Sequence, residues 1–155
     1  MFGLAIVLWW LGETQESVRY LEQAYAAFRR RSDPARAASA ALELCFLYHE
    51  NLGNHAAAAG WVARAARLVD QFDLEPLRGR VSLIKACCSS DPDQREAWAR
   101  QALRPTVGAG DRDLELCALS EIGAALIAKG IVDEGICPLS TRHWPVRSPA
   151  RCLRR

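Results

Sequence analysis

Four short turns at nearly equal intervals constrain the fold more than any other feature of the sequence. Gly12, Gly53, Ser90 and Gly130 each separate two segments whose apolar residues recur at three- and four-residue steps. The spacings between these turns are 41, 37 and 40 residues. A repeat of this length with two helices per unit is typical of an α-solenoid, because one helix pair cannot bury its apolar stripe alone.

Start and stop signals predict where the helices lie. Asp33-Pro34 and Asp91-Pro92 each provide a capping side chain followed by proline at the first helical position. The predicted helices cover residues 2–11, 14–31, 34–52, 55–72, 76–88, 92–103 and 112–129, with an eighth from near Val132. No segment shows the period-two alternation of a strand. The sequence therefore predicts an all-α solenoid of about three and a half antiparallel helix pairs.

Charge is distributed unevenly along the chain. The net charge is +2, but no acidic residue follows Glu134. Five arginines lie in the last fourteen residues: Arg142, Arg147, Arg151, Arg154 and Arg155. Without them the balance is −3, so the body lacks the basic face with which proteins neutralise nucleic-acid phosphates. We therefore divide the chain into a helical repeat domain, residues 1–137, and a basic tail, residues 138–155.

The tail has two interpretations, and neither predicts a functional site in it. Prolines interrupt residues 140–155 where the repeat requires a second helix. One interpretation is a disordered basic tail. The other is an out-of-frame end: with assumed GC-rich codons, a shifted frame across residues 139–149 encodes LDEALAGALA, which is an amphipathic helix.

The cysteines and the apolar first residues indicate where in the cell the protein is expected. None of the six cysteines forms a C-x-x-C pair, and most lie among Ala and Leu, so we expect reduced thiols packed in a cytoplasmic protein. Residues 1–11 are apolar but are shorter than the roughly 20 residues that span a bilayer. They also lack the basic start of a signal peptide, and we expect a buried helix and no membrane contact.

Three stretches carry a resemblance to known proteins. The run from Trp10-Leu11-Gly12 to Leu21-Glu22-Gln23-Ala24 resembles a tetratricopeptide repeat joint, and residues 124–135 resemble another. Between them, LYHENLGN (47–54) followed by AGWVARA (59–65) resembles the helical arm of large LuxR-type bacterial transcription regulators. The resemblance covers residues 4–134.

The resemblance implies a sensor or protein-interaction arm. In that family an ATP-binding module precedes the arm and a DNA-binding helix-turn-helix follows it. This chain has neither a G-x-x-x-x-G-K-[ST] loop nor a convincing helix-turn-helix, so we expect a fragment. The apolar first helix, which has no preceding partner helix, hints that Met1 is not the true start. The alternatives are a stand-alone tetratricopeptide scaffold that binds a peptide or a partner protein, and an inactive gene fragment.

No catalytic site, metal site or cofactor is predicted. His49-Glu50 begins an H-E-x-x-H zinc motif, but its fifth position is Gly53. Cys45 and His49 alone do not complete a metal site. No cysteine can be paired with a base from the sequence, so core packing is the simpler interpretation. Core packing is also the simpler interpretation of four tryptophans: Trp9, Trp10, Trp61 and Trp98. The alternative is that Trp10 or Trp61 anchors a partner.

Polar residues on the first helix of each pair are the candidate partner-binding residues. The first helices form the concave wall of a solenoid. On the third helix the stripe is Arg36, Ser39, Glu43, Phe46 and Glu50, and on the fifth it is Arg78, Ser82 and Lys85. Both charge signs with one aromatic suit a peptide or a neighbouring domain. The alternative is a solvated face with no partner.

Overall fold

The regular structure of the residues described below is entirely helical. The computed structural model describes residues 2–104 and 111–133. Its helices are α1 (Phe2–Trp10), α2 (Thr14–Arg30), α3 (Pro34–Phe46), α4 (His55–Gln71), α5 (Glu75–Cys87), α6 (Pro92–Leu103) and α7 (Arg112–Ala128), and a π-helical turn, Leu47–Asn51, continues α3. No strand occurs in these two ranges, and the predicted all-α class is confirmed.

The predicted end of the repeat domain lies largely outside the described residues. Of the predicted eighth helix, only Val132 and Asp133 are described, and both are helical. Residues 134–155, which include the basic tail, lie outside the described ranges, as do residues 105–110.

Local signals position the helix ends where the sequence predicts them. Four capping side chains accept hydrogen bonds of 3.0 Å from backbone N–H groups in the first turns of α3, α4, α6 and α7: Asp33, Asn54, Asp91 and Asp111. Gly12, Gly53 and Gly130 have positive φ angles of 83°, 61° and 82°. Glycine adopts this left-handed conformation without the steric cost of a Cβ atom, which explains three of the four turns.

The end of the third helix differs from the prediction. The sequence predicts one continuous helix to residue 52, but the last turn is a π-turn in which the Leu52 N–H donates to the Leu47 carbonyl at 3.1 Å. Leu47 stays buried in this geometry, and the Tyr48 hydroxyl donates to the Glu22 carboxylate of α2 at 3.1 Å. The extra residue changes the direction in which the following side chains point.

Three apolar clusters run along the molecule and share the helices α3 and α5. The first joins α1, α2 and α3 around Leu21 and Leu44. The second joins α3, α4 and α5 around Leu42 and Leu68, and the third joins α5, α6 and α7 around Ile122. Four alanines of α3 are fully buried: Ala37, Ala38, Ala40 and Ala41. Their small side chains allow the helices on several sides of α3 to approach it closely.

The first helix is buried on one side only, contrary to the expectation of a buried helix. Ala5 is fully buried against α2, where the buried Ser17 hydroxyl donates to the Ala5 carbonyl at 2.8 Å. Val7 and Trp10, in contrast, are 54% and 75% exposed. None of the described helices is long and apolar enough to cross a membrane.

Replacement of Leu44 by alanine should destabilise the fold much more than the same change at Leu11. Leu44 is fully buried, whereas Leu11 is 70% exposed. We expect Leu44→Ala to lower the free energy of unfolding by about 2–5 kcal/mol, because it leaves a cavity between α2 and α3. Leu11→Ala should cost no more than about 0.5 kcal/mol. Urea denaturation measures both, and equal losses would contradict the described core.

A candidate partner-binding groove

The odd-numbered helices form one face of the molecule. α3 packs against α5, and α5 packs against α7, although a complete helix separates the members of each pair in the chain. Trp9 of α1 meets Phe46 of α3 edge-to-face, with ring centroids 5.7 Å apart and an interplanar angle of 89°. α1, α3, α5 and α7 therefore lie side by side.

Two open depressions on this face meet at Arg80 and Leu83, and together they are called the groove below. The first has a volume of about 260 Å³ among α1, α3 and α5, and is lined by Trp9, Leu42, Glu43, Phe46, Arg80, Leu83 and Ile84. The second has a volume of about 370 Å³ between α5 and α7, and is lined by Arg80, Leu83, Asp111, Asp113, Leu114 and Cys117.

The two halves of the groove differ in chemistry. In the first half, aromatic and aliphatic side chains surround one ion pair, in which Arg80 Nη2 lies 3.1 Å from Glu43 Oε1. In the second half, the carboxylates of Asp111 and Asp113 lie at the start of α7. Because Glu43 already balances the charge of Arg80, the carboxylates of α7 give the groove an acidic end.

Four of the predicted partner-binding residues lie on α3 and its π-turn, and two of them line the groove. These two are Glu43 and Phe46. Arg36 lies at a separate depression of about 480 Å³ that it shares with Phe2, Gly3, Phe28 and Ser39. Glu50 is exposed in the π-turn, where its Oε1 atom lies 3.6 Å from His49 Nε2.

The two predicted residues of α5, Arg78 and Lys85, do not lie on the side of that helix that lines the groove. Arg78 forms ion pairs with Asp70, Asp73 and Glu75 at 3.0, 2.8 and 2.7 Å, which hold the turn between α4 and α5. Lys85 places its Nζ atom 4.3 Å from the centre of the Trp98 ring of α6. The structure therefore does not bring these two side chains together with Glu43 and Phe46.

A signal for the correct face of α5 is present in the sequence. Gly79, Ser82 and Ala86 recur at helical spacing, and all three are buried. Small residues at this spacing mark the face of a helix on which its neighbours pack closely. That face includes Ser82, which the sequence analysis assigned to the open wall. Arg80 and Leu83 line the groove instead, and sequence reasoning missed both.

Two histidines lie closer together than their positions in the sequence suggested. The π-turn brings His49 Nδ1 within 2.9 Å of His55 Nδ1, although His55 follows the turn at Gly53. No group of three or more histidine, cysteine, aspartate or glutamate side chains in the described ranges is arranged to hold a metal ion.

The described cysteines differ in their surroundings. Burial raises the pKa of the Cys87 thiol to about 12, and burial together with Asp113 raises the pKa of Cys117. Both surroundings therefore disfavour the thiolate form of these two side chains. Cys45 is fully buried, as core packing predicts, and its Sγ atom lies 3.7 Å from Cys88 Sγ.

The tryptophans also divide between the core and the surface. Trp61 packs edge-to-face on Tyr25, with ring centroids 5.1 Å apart, which fits the core interpretation. Trp9 lines the groove, and Trp10 is mostly exposed. Of the two tryptophans considered as partner anchors, only Trp10 has the exposure that an anchor needs.

Comparisons with known proteins do not identify a family. No protein-family model matches the chain, and a search of curated proteins also finds no match. The resemblance to the helical arm of LuxR-type regulators therefore stays a prediction.

The ion pair between Glu43 and Arg80 should contribute little to stability. Both side chains are partly exposed, at 28% and 44%, so water weakens their attraction. We expect a double-mutant cycle with Glu43→Ala and Arg80→Ala to give a coupling energy below about 1 kcal/mol in urea denaturation. A coupling energy of several kcal/mol would contradict the conclusion that water surrounds this ion pair in the groove.

Proposed function

We propose that the chain is a protein-interaction module that binds an extended segment of a partner polypeptide in the groove. The observation that carries this proposal is the groove itself, whose walls come from four helices and combine aromatic and aliphatic side chains with charges at the rim. Such surfaces bind peptides through apolar anchors and select them through the surrounding charges.

The chemistry of the groove suggests what kind of segment fits. Trp9, Phe46 and Leu83 favour an apolar side chain in the first half. Asp111 and Asp113 favour a lysine or arginine in the second half. The proposed ligand is therefore a peptide in which a basic residue lies near an apolar one.

The finer proposal is a tetratricopeptide-like solenoid that acts as the arm of a LuxR-type regulator in the cytoplasm. Three features support a solenoid: the regular turns, the packing of each helix on its neighbours in sequence, and the contacts of α3 with α5 and of α5 with α7. The regulator rests on the resemblance of residues 4–134. On this proposal, the bound segment belongs to a partner or to another domain of the parent protein.

Peptide selection followed by affinity measurement tests the binding proposal. Random peptides displayed on phage should be enriched for members that combine an apolar residue with lysine or arginine. We expect Asp113→Asn to weaken binding of a selected peptide about three- to tenfold at low salt, and the loss should shrink as salt screens the charges. Leu83→Gln should weaken binding about tenfold or more, because it places a polar group in the apolar wall.

A matched variant separates the groove from general charge effects. Glu16, like Asp113, is an acidic residue in the first turn of its helix, but it lies on α2, outside the residues that line the groove. Glu16→Gln should leave peptide affinity unchanged. Equal losses for Glu16→Gln and Asp113→Asn, with unchanged circular dichroism spectra, would contradict binding in the groove.

The DNA sequence around the coding region tests the regulator proposal separately. A phosphate-binding loop encoded upstream and a helix-turn-helix encoded downstream, after a single-base correction near codon 139, would support the arm of a transcription regulator. Stop codons close on both sides of an unchanged frame would contradict it and leave the scaffold proposal.

A further inference from the structure

Two cysteines from distant parts of the chain meet where the C-terminal ends of α3 and α5 lie next to each other. Cys45 lies in the last turn of α3, and Cys88 is the C-cap residue that directly follows α5. Their Sγ atoms are 3.7 Å apart, although 43 positions separate them in sequence. Cys45 is fully buried, whereas Cys88 is partly exposed and can meet a small molecule from solvent.

The distance between the two sulfur atoms is that of packed thiols and is close to what a disulfide needs. A disulfide bond is about 2.05 Å long, so the sulfur atoms must approach by about 1.7 Å. α3 and α5 already pack against each other. Closure of the gap therefore joins two helices that are already neighbours.

The surroundings assign different roles to the two thiols. The hydrogen bond between them lowers the pKa of Cys88, against the opposing effects of burial, Glu50 and Glu121. The same hydrogen bond and burial raise the pKa of Cys45. Cys88 is also the partly exposed thiol of the pair, so an oxidant from solvent reaches it before the fully buried Cys45.

We propose that hydrogen peroxide converts Cys45 and Cys88 into a reversible intramolecular disulfide that fastens α3 to α5. The Cys88 thiolate attacks one peroxide oxygen, so an S–O bond forms, the O–O bond breaks and hydroxide leaves with the proton lost by Cys88 as water. The Cys45 sulfur then attacks the resulting sulfenic acid. The S–O bond breaks, and hydroxide leaves with the Cys45 proton as a second water. In sum, two thiols and one peroxide give one disulfide and two waters.

The site lies next to the groove but does not depend on the function proposed for it. Glu43, two residues before Cys45 on α3, pairs with Arg80 of α5, so the disulfide joins the same two helices as this ion pair. A covalent bond there holds two walls of the groove at one separation, whereas the ion pair alone allows them to move.

Peptide mapping of the oxidised full chain tests the proposal without any substitution. The reduced protein is treated with a few equivalents of hydrogen peroxide, its remaining thiols are alkylated, and it is digested with trypsin without reductant. We expect a linked pair of peptides, 37–64 and 86–95, in which Cys87 is alkylated. The pair should be two hydrogen atoms lighter than the sum of the two separate peptides with Cys87 alkylated and with Cys45 and Cys88 as free thiols. Fragmentation of this pair should place the bond on Cys88, because Cys87 lies in the same peptide.

Thermal unfolding gives a second, independent readout. Oxidation should raise Tm by about 5 °C or more, because the bond closes a loop of some 40 residues in the unfolded chain. Dithiothreitol should return Tm to its starting value.

Cysteine variants provide the controls, once circular dichroism shows that each one is folded. Cys87→Ser and Cys117→Ser should retain both the link and the Tm shift, whereas Cys88→Ser should lose both. A link that survives in Cys88→Ser but disappears in Cys87→Ser would overturn the proposed pair. Oxidation of Cys117 without any bond to Cys45 would overturn it as well.

Discussion

The close packing of α3 is the constraint on which the rest of the molecule depends. Four fully buried alanines remove the volume that larger side chains would occupy, so α2 and α4 both pack along α3 while α5 also reaches it. A larger side chain at any of these positions would force the neighbouring helices apart. Because α3 contributes residues to both the first and the second apolar cluster, it determines how the two clusters are positioned relative to each other.

The groove follows from this arrangement. α2 and α4 pack against the sides of α3 that carry the alanines. Glu43 and Phe46 therefore lie on the remaining face of α3, next to α1 and α5. The position of α5 next to α3 then brings Arg80 and Leu83 into the same wall, and α7 extends it. The same proximity brings Cys45 to Cys88. Both the proposed binding surface and the proposed oxidation site therefore depend on the distance between α3 and α5.

The sequence predicted the helices well because their ends depend on local chemistry. Glycines at positive φ and Asp-Pro pairs determine a helix end within a few residues, whatever the rest of the fold does. The face of α5 was harder, because Arg78 and Arg80 look equally suitable until Trp98 of α6 is known to lie under Lys85. The π-turn at Leu47–Asn51 has no local signal of this kind. The contact between Cys45 and Cys88 depends on tertiary register and could not be read from spacing.

Hydrogen exchange followed by mass spectrometry tests the central position of α3 most directly. Amides that are buried between several helices exchange only when a large part of the structure opens, whereas those of a helix packed on one side exchange through local opening. Peptides from α3 should therefore exchange the most slowly, and peptides from α1 should exchange much faster. If α3 exchanges as fast as α1, it is not the helix that holds the others in place, and the position of the groove walls does not depend on it.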